Sequence, residues 1–363
     1  MTNDKNNMGM LPFLIHKSTG ASSDMARSVI RRLRCPICQG ALVSARAPEF
    51  ALGCLNCNEI YPIENGIPRM ISKAMRQALN GEEPQDSLEE GDRAGVETAR
   101  SFGFEWSRFP EMRAEWESNF RDYMLPHTPE SLRGKRVLDA GCGSGRHAYY
   151  AAENGAEVWA VDIGSAVEVA KRNTRRYDNV FVAQADIHHL PFEPESFDLI
   201  YSIGVLHHMP DPEAAFRNLL RYLKPGGWIH VYLYWRPERQ PVKRALLSLV
   251  KAIRLITTRI PHRMVYGLAF PAAALVFAGF VWPYQLLTAA GLNWVAERMP
   301  MKQYARYPFR VCVNDQFDRL SAPIEFRFRR EEIEAWMRRA GLEEVLVRPN
   351  YGWCATGRKL PAP

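Results

Sequence analysis

Apolar and polar positions fall into stretches of different rhythm along this chain. Between Lys135 and Trp235, short apolar runs bounded by turn residues alternate with segments of helical period. "RVLDA", "EVWAVDI", "VFVAQAD", "FDLIYSI" and "WIHVYLYW" read as buried strands, with helices expected near 145–154, 166–177 and 211–223. Such alternation predicts an α/β fold whose parallel sheet is covered on both faces. The tail, "REEIEAWMRRAGLEEVLVRPNYGWCATGRK", reads as one helix and two short strands. Residues 101 to 133 place Phe102, Phe104, Trp106, Phe109, Trp116, Phe120 and Tyr123 in a mostly helical pattern. Residues 1 to 30 are polar, lack a sustained period and are expected to be disordered. The acidic, Gly- and Pro-bearing stretch 72 to 100 reads as a linker.

Residues 236 to 310 interrupt the strand–helix scheme as an insertion after the fifth strand. At about 100° per residue from Lys243, the bases Lys243, Arg244, Lys251 and Arg254 fall within about 0° to 100°. On the same wheel Leu246, Leu249, Val250, Ile253 and Ile256 span about 220° to 340°, an amphipathic helix suited to an anionic surface. Met264 to Ala296 then run thirty-three residues without a charge, cut by Pro271 and Pro283 with eleven residues between them. Eleven residues are too few to cross a bilayer. The stretch is open to three readings: a transmembrane helix, an interfacial hairpin or apolar cap over a greasy substrate, and a buried subdomain or dimer contact.

Charge sharpens this picture. The net charge is +7 over 363 residues, yet Arg236 to Arg310 carry twelve Lys/Arg against Glu238 and Glu297. A basic excess this local faces something anionic. "MLPFLIHK" is too short for a secretory signal and is broken by Pro12, so a cytoplasmic protein is expected, docked peripherally on the inner face of the membrane if 240–296 meets lipid.

Four of the seven cysteines form two pairs, Cys35-x2-Cys38 and Cys54-x2-Cys57, with fifteen residues between the pairs. Two such knuckles complete a tetrahedron of thiolates around zinc, and a site closed by four protein ligands is structural. With "EIYPIENGIPRM" after them, residues 33 to 71 resemble the zinc-ribbon family of small activator subunits that partner methyltransferases acting on tRNA and translation factors. A zinc ribbon is therefore expected over 31–71.

"VLDAGCGSGRH", residues 137 to 147, carries the chemistry. A dinucleotide fingerprint needs its third glycine at position 146, which is Arg146. The pattern is instead Asp139-x-Gly141-x-Gly143-x-Gly145, and an acid before the glycines suits a cationic ligand better than a pyrophosphate. Asp162 ends the second strand, placed to accept from ribose hydroxyls, and Asp186 ends the third, within reach of an adenine amino group. With "SFDLIYSIGVLHHMPDP" and "LKPGGWIHVY" in order, 135–235 plus the tail resembles the class I S-adenosylmethionine-dependent methyltransferases, closest to the small-molecule ubiquinone/menaquinone branch.

That resemblance implies a doubly wound, Rossmann-like sheet of seven strands, formed by 101–235 and 311–363. It implies that the backbone from Gly141 through Cys142 and Gly143 to Gly145 lies against the methionine moiety and that Asp139 orients the amino end. Ile163 then packs on the adenine, Ile187 follows Asp186 in the same pocket, and Ser202 with Ile203 lines the pocket near the methyl. "FGFEWSRF" (102–109) is similar to a segment that closes over the donor, or else packs as core against the first helix.

Methyl transfer from a sulfonium needs the nucleophile held in line, and a base only where a proton must leave. His207, His208 and either Asp315 or Asp318 are the candidates for that base; "LHH" also reads as pocket wall, and Asp318 with Arg319 as a structural pair. Cys312 and Cys354 receive no role. The expected function is methyl transfer to a hydrophobic or anionic, lipid-linked small molecule, with the oligomeric state left open. The alternative is a methyltransferase acting on RNA or protein with the ribbon as recognition module; Arg46 and Arg69 are the only bases of 35–71, which argues against nucleic acid.

Overall fold

The computed structural model describes residues 30–47, 49–82, 90–238 and 240–361. Apart from residue 30, the disorder expected for 1–30 lies outside them. After the first cysteine knuckle the chain forms a meander of β1 (Leu42–Ala47), β2 (Glu49–Cys54), β3 (Ile60–Glu64) and β4 (Ile67–Met70), each antiparallel to the last. Asn65-Gly66 makes the final turn with both φ positive, the backbone a two-residue hairpin requires.

The stretch 72–100, expected as a linker, carries helices instead. α1 (Lys73–Asn80) starts where Ser72 Oγ accepts the Met75 N–H and stops at Gly81, whose φ is 77°. α2 (Glu90–Arg108) takes up "FGFEWSR", and α3 (Glu115–Met124) buries Phe120 and Met124.

The α/β core follows the expected order: β5 (Arg136–Ala140), α4 (Arg146–Glu153), β6 (Glu157–Asp162), α5 (Ala166–Thr174), β7 (Val180–Ala185), β8 (Phe197–Ile203), α6 (Pro212–Leu219) and β9 (Leu223–Leu233). The insertion supplies α7 (Pro241–Thr257), α8 (His262–Val276), α9 (Trp282–Ala289) and α10 (Asn293–Ala296). The chain returns through α11 (Phe309–Ser321), α12 (Arg330–Arg339), β10 (Leu342–Pro349) and β11 (Trp353–Lys359).

The sheet has eleven strands, not the seven expected. Its order is β1-β2-β3-β4-β7-β6-β5-β8-β9-β11-β10, parallel from β4 to β9 and antiparallel at β11 and β10. The seven strands β7 to β10 correspond to the expected set. The other four join because β4 adds to β7, with Arg69 opposite Gln184 and Met70 opposite Ala185. One apolar cluster accordingly runs from Cys35, Leu52, Tyr61 and Met70 into Leu138, Trp159 and Ile229.

The two prolines do not break the apolar stretch. A single helix runs from His262 to Ala289, twenty-eight residues, with a π-helical turn at Phe277–Val281. Pro283 sits in the first turn after that π segment, where its missing N–H coincides with the shifted hydrogen-bond ladder. Among the described residues it is the one helix long and apolar enough to cross a membrane, yet one side is engaged. Val265, Ala269, Ala273 and Val276 pack on Cys312, Val313 and Phe317 of α11. Burying each large apolar side chain there contributes roughly 1.5–3 kcal/mol.

The amphipathic helix α7 is also turned differently from a core helix. Arg254 faces inward, donating to Glu325 at 2.7 Å and to the Arg319 carbonyl at 3.1 Å, while Thr257 Oγ1 donates to the Leu320 carbonyl. Leu249 and Ile256 of the apolar side are 57% and 68% exposed.

Candidate donor site and its surroundings

Neighbouring parallel strands bring the acids to one edge of the sheet. Asp186 follows β7, Asp162 closes β6, Asp139 is the penultimate residue of β5, and Ser202 and Ile203 close β8. Ligands of open α/β sheets bind at such carboxyl ends, where strand order reverses.

Three glycines shape the turn after β5, each with positive φ: 84° at Gly141, 51° at Gly143 and 77° at Gly145. A Cβ at Gly141 would strike Val205; one at Gly143 would lie 2.8 Å from Trp106 Nε1, and one at Gly145 2.8 Å from Ala170 Cα. The turn is thus gripped by the loop after β8, by α2 and by α5. Burial pushes the Cys142 thiol well above its ordinary range, so no thiolate forms within the turn.

Asp139 is 1% exposed, and its Oδ2 has no hydrogen-bond partner. Burial pushes it up to about 7; the Tyr201 hydroxyl beside it works against the rise and the Asp162 charge adds to it. Asp162 bridges the site, with Oδ2 accepting the Gly143 N–H at 3.0 Å and Oδ1 the Gly164 N–H at 2.8 Å. At Asp186 burial is outweighed by the His189 ring at 3.3 Å and the His188 N–H at 2.9 Å, which together hold it below the ordinary carboxylate range. Ile163 is half-buried with its carbonyl held by Gln184 Nε2, and Ile187 is buried. Ser202 is fully buried and donates to the Ala140 carbonyl at 2.8 Å, so its hydroxyl holds β8 to β5.

The base candidates lie elsewhere around the turn. His207 is fully buried with neither ring nitrogen partnered; it stacks 3.9 Å from Tyr234, and burial holds it well below the usual histidine range. His208 Nδ1 lies 2.6 Å from the Ile324 carbonyl. Asp315 Oδ2 accepts the Tyr304 hydroxyl at 2.6 Å, and burial raises this carboxyl.

Four polar side chains that the sequence reading did not single out complete the surroundings. Glu105 of α2 is 3% exposed and stands beside Asn314; the Tyr234 hydroxyl donates to Asp318 Oδ2 at 3.0 Å. Arg146 places its guanidinium between the rings of Trp106, at 5.4 Å, and Trp116, at 5.2 Å. The one local signal for Glu105 was an acid set among aromatics in "FGFEW".

The four paired cysteines converge as a second site. Their sulfurs all lie within 4.8 Å of one another, with Cys35 Sγ 3.5 Å from Cys57 Sγ and Cys38 Sγ 3.4 Å from Cys54 Sγ. A tetrahedral zinc with bonds of about 2.3 Å spaces its sulfurs roughly 3.8 Å apart, so the donor set fits that ion. The buried Tyr61 hydroxyl, 3.0 Å from Cys35 Sγ, backs the cluster.

Residues 138–231 match the family model described as "Methyltransferase domain". A ubiquinone biosynthesis O-methyltransferase of Coxiella burnetii is 37% identical over 27% of this chain and 42% of its own. A tRNA U34 carboxymethyltransferase of Idiomarina loihiensis is 36% identical over 31% of this chain and 37% of its own. A solved structure of phosphoethanolamine N-methyltransferase 2 of Haemonchus contortus, in complex with S-adenosyl-L-methionine, aligns with 71% of this chain and 44% of its own at 18% identity and a TM-score of 0.39. The chain spans 28% to 42% of the length of the first curated relatives it matches. Over residues 138–231 the chain is therefore similar to methyltransferase domains.

Proposed function

We propose that the protein transfers the methyl group of S-adenosylmethionine to a hydrophobic or lipid-linked small molecule, docked through its insertion on the inner face of an anionic membrane. The observation that carries the acceptor class is the outward apolar surface of that insertion. Among the described residues, thirteen of the twenty-two exposed large apolar side chains lie between Leu246 and Trp294. Arg244, Lys251, Arg259 and Arg298 are interspersed and exposed, the composition of a face that lies in a charged interface. A patch this apolar is rare on a surface that meets water alone.

The donor supplies an activated methyl on a cationic sulfur. Asp139, with a bare buried oxygen, suits its ammonium; Asp162 suits the ribose and Asp186 the adenine, with Ile163 and Ile187 as apolar walls. α2 excludes water from above the turn. His207 serves as wall rather than base, since burial leaves it too weakly basic. Zinc on Cys35, Cys38, Cys54 and Cys57 is structural in this reading.

A similarity to a tRNA enzyme raises a second reading, recognition of RNA by the ribbon. Arg69 weighs against it, being 6% exposed and paired with Glu64 and Glu168.

Flotation tests the reading. The full chain should rise with phosphatidylcholine vesicles carrying phosphatidylglycerol and stay down with phosphatidylcholine alone. Leu249→Glu with Ile256→Glu, both on the exposed side of α7, should abolish flotation and leave S-adenosylhomocysteine binding intact. A wild-type chain that ignores anionic vesicles would sink the membrane role, and one that also binds no S-adenosylhomocysteine would sink the methyl-donor assignment.

A further inference from the structure

Buried oxygens without hydrogen-bond donors gather where α2, α11 and the end of β9 meet. Glu105 is 97% buried by its 3% exposure, and its Oε2 accepts nothing. Asn314 Oδ1 and Asp318 Oδ1, on α11, are likewise buried and bare. The neighbouring oxygens are already engaged, Asp318 Oδ2 by Tyr234 and Asp315 Oδ2 by Tyr304. A buried polar atom left unsatisfied is costly, and three unpartnered oxygens in one region ask for partners from outside the chain.

Their position says which partners. Glu105 precedes Trp106, whose indole covers Gly143. A cleft of ≈ 20 Å³ touches Trp106, Ser144 of the glycine turn and Asn314. Tyr234, which holds Asp318, lies just past β9 and stacks on His207 beyond β8. Asp139 and Asp162 reach the turn from the sheet, whereas Glu105, Asn314 and Asp318 belong to α2 and α11, the helices whose Trp106 and Asn314 come against Gly143 and the cleft beside Ser144, and α11 packs directly on α8 of the insertion. A donor lying along the turn would meet the sheet's acids and, toward the insertion, this second group.

We propose that Glu105, Asn314 and Asp318 bind the nucleophilic atom of the acceptor, a hydroxyl or an amine, and that Asp318 receives its proton. This rests on the methyl-donor reading. In the step, a lone pair of oxygen or nitrogen forms the bond to the methyl carbon. The carbon–sulfur pair returns to sulfur, leaving a neutral thioether, and the O–H or N–H proton passes to Asp318 Oδ1. Burial and the charges of Asp318 and Asp315 push Glu105 well above the carboxylate range, so it keeps a proton with which to orient the nucleophile. A carbon nucleophile brings no comparable hydrogen-bond donor and would leave the oxygens bare.

Calorimetry on the full chain with two probes tests this. S-adenosylhomocysteine has nothing at the methyl position, whereas sinefungin carries an amine there, aimed toward the acceptor. The wild type should prefer sinefungin by about 10- to 100-fold, the yield of one or two charge-assisted hydrogen bonds. Asp318→Asn and Glu105→Gln, tested singly because both keep the side-chain shape, should each reduce that preference several-fold and leave S-adenosylhomocysteine affinity unchanged. Variants that keep the wild-type preference overturn the proposal, and so do variants that lose affinity for both probes equally, which would place the group at the donor's tail. A wild type that binds neither probe overturns the methyl-donor reading and this proposal with it.

Discussion

Replacing Asp139 with asparagine should make the protein more stable above neutral pH while weakening its hold on the methyl donor. In the unfolded chain this carboxyl loses its proton near 3.8, and in the fold it keeps it to about 7. The folded state therefore binds the extra proton between those values. Stability is fullest below the lower one, falls as pH rises through the window, and levels off above about 7. At about 1.36 kcal/mol per pH unit the loss grows from about 2 kcal/mol at pH 5 to about 4 kcal/mol at pH 8, as an upper bound before relaxation. The amide that replaces the carboxyl has no charge to bury, so the variant should gain stability over the wild type by that growing amount. Urea unfolding at pH 5 and pH 8, followed by tryptophan fluorescence, measures the difference. Saturating S-adenosylhomocysteine should close the gap at pH 8, because in the proposed reading its ammonium partners Asp139 and would find no charge on the variant. A variant no more stable than the wild type at pH 8, or equally advantaged at both pH values, would refute the reasoning.

Two further outcomes follow from the turn. Asp162→Ala strips the Gly143 and Gly164 amides of their acceptor, at about 1–3 kcal/mol each, and should abolish S-adenosylhomocysteine binding while zinc content stays unchanged. Retained tight binding on calorimetry would mean the ligand is a different one. Gly145→Ala must hold φ near 77° and push against the Ala170 backbone, so it should cost about 2–5 kcal/mol in chemical unfolding; wild-type stability would show that α4 and α5 can part freely.

The chain's local rhythm carried much of this structure. The five central strands, the acids at their ends and the cysteine pairs are short-range patterns, and each lies where its spacing placed it. What the sequence hid depends on partners far along the chain. The eleven-stranded sheet rests on two residue pairs between β4 and β7, which periodicity does not encode. Pro283 read as a break because a π turn that absorbs a missing amide has no compositional mark. Glu105 and Asp318 lie more than two hundred residues apart, and only the packing of α2 on α11 makes them neighbours. The outward side of α7 was hidden for a related reason: a wheel gives the faces of a helix but not the direction each one turns.

The pairing of β4 with β7 changes what it would mean to separate the ribbon from the rest. Cutting near residue 72 would not release a self-contained enzyme core. It would strip the flank from Gln184 and Ala185 at the end of β7 and leave their outward backbone groups facing water. Such a raw border recruits strands from other molecules, so the shortened protein should tend toward self-association and exchanged segments. Asp186 immediately follows that border, and damage at the cysteine cluster would therefore be felt first at this carboxylate.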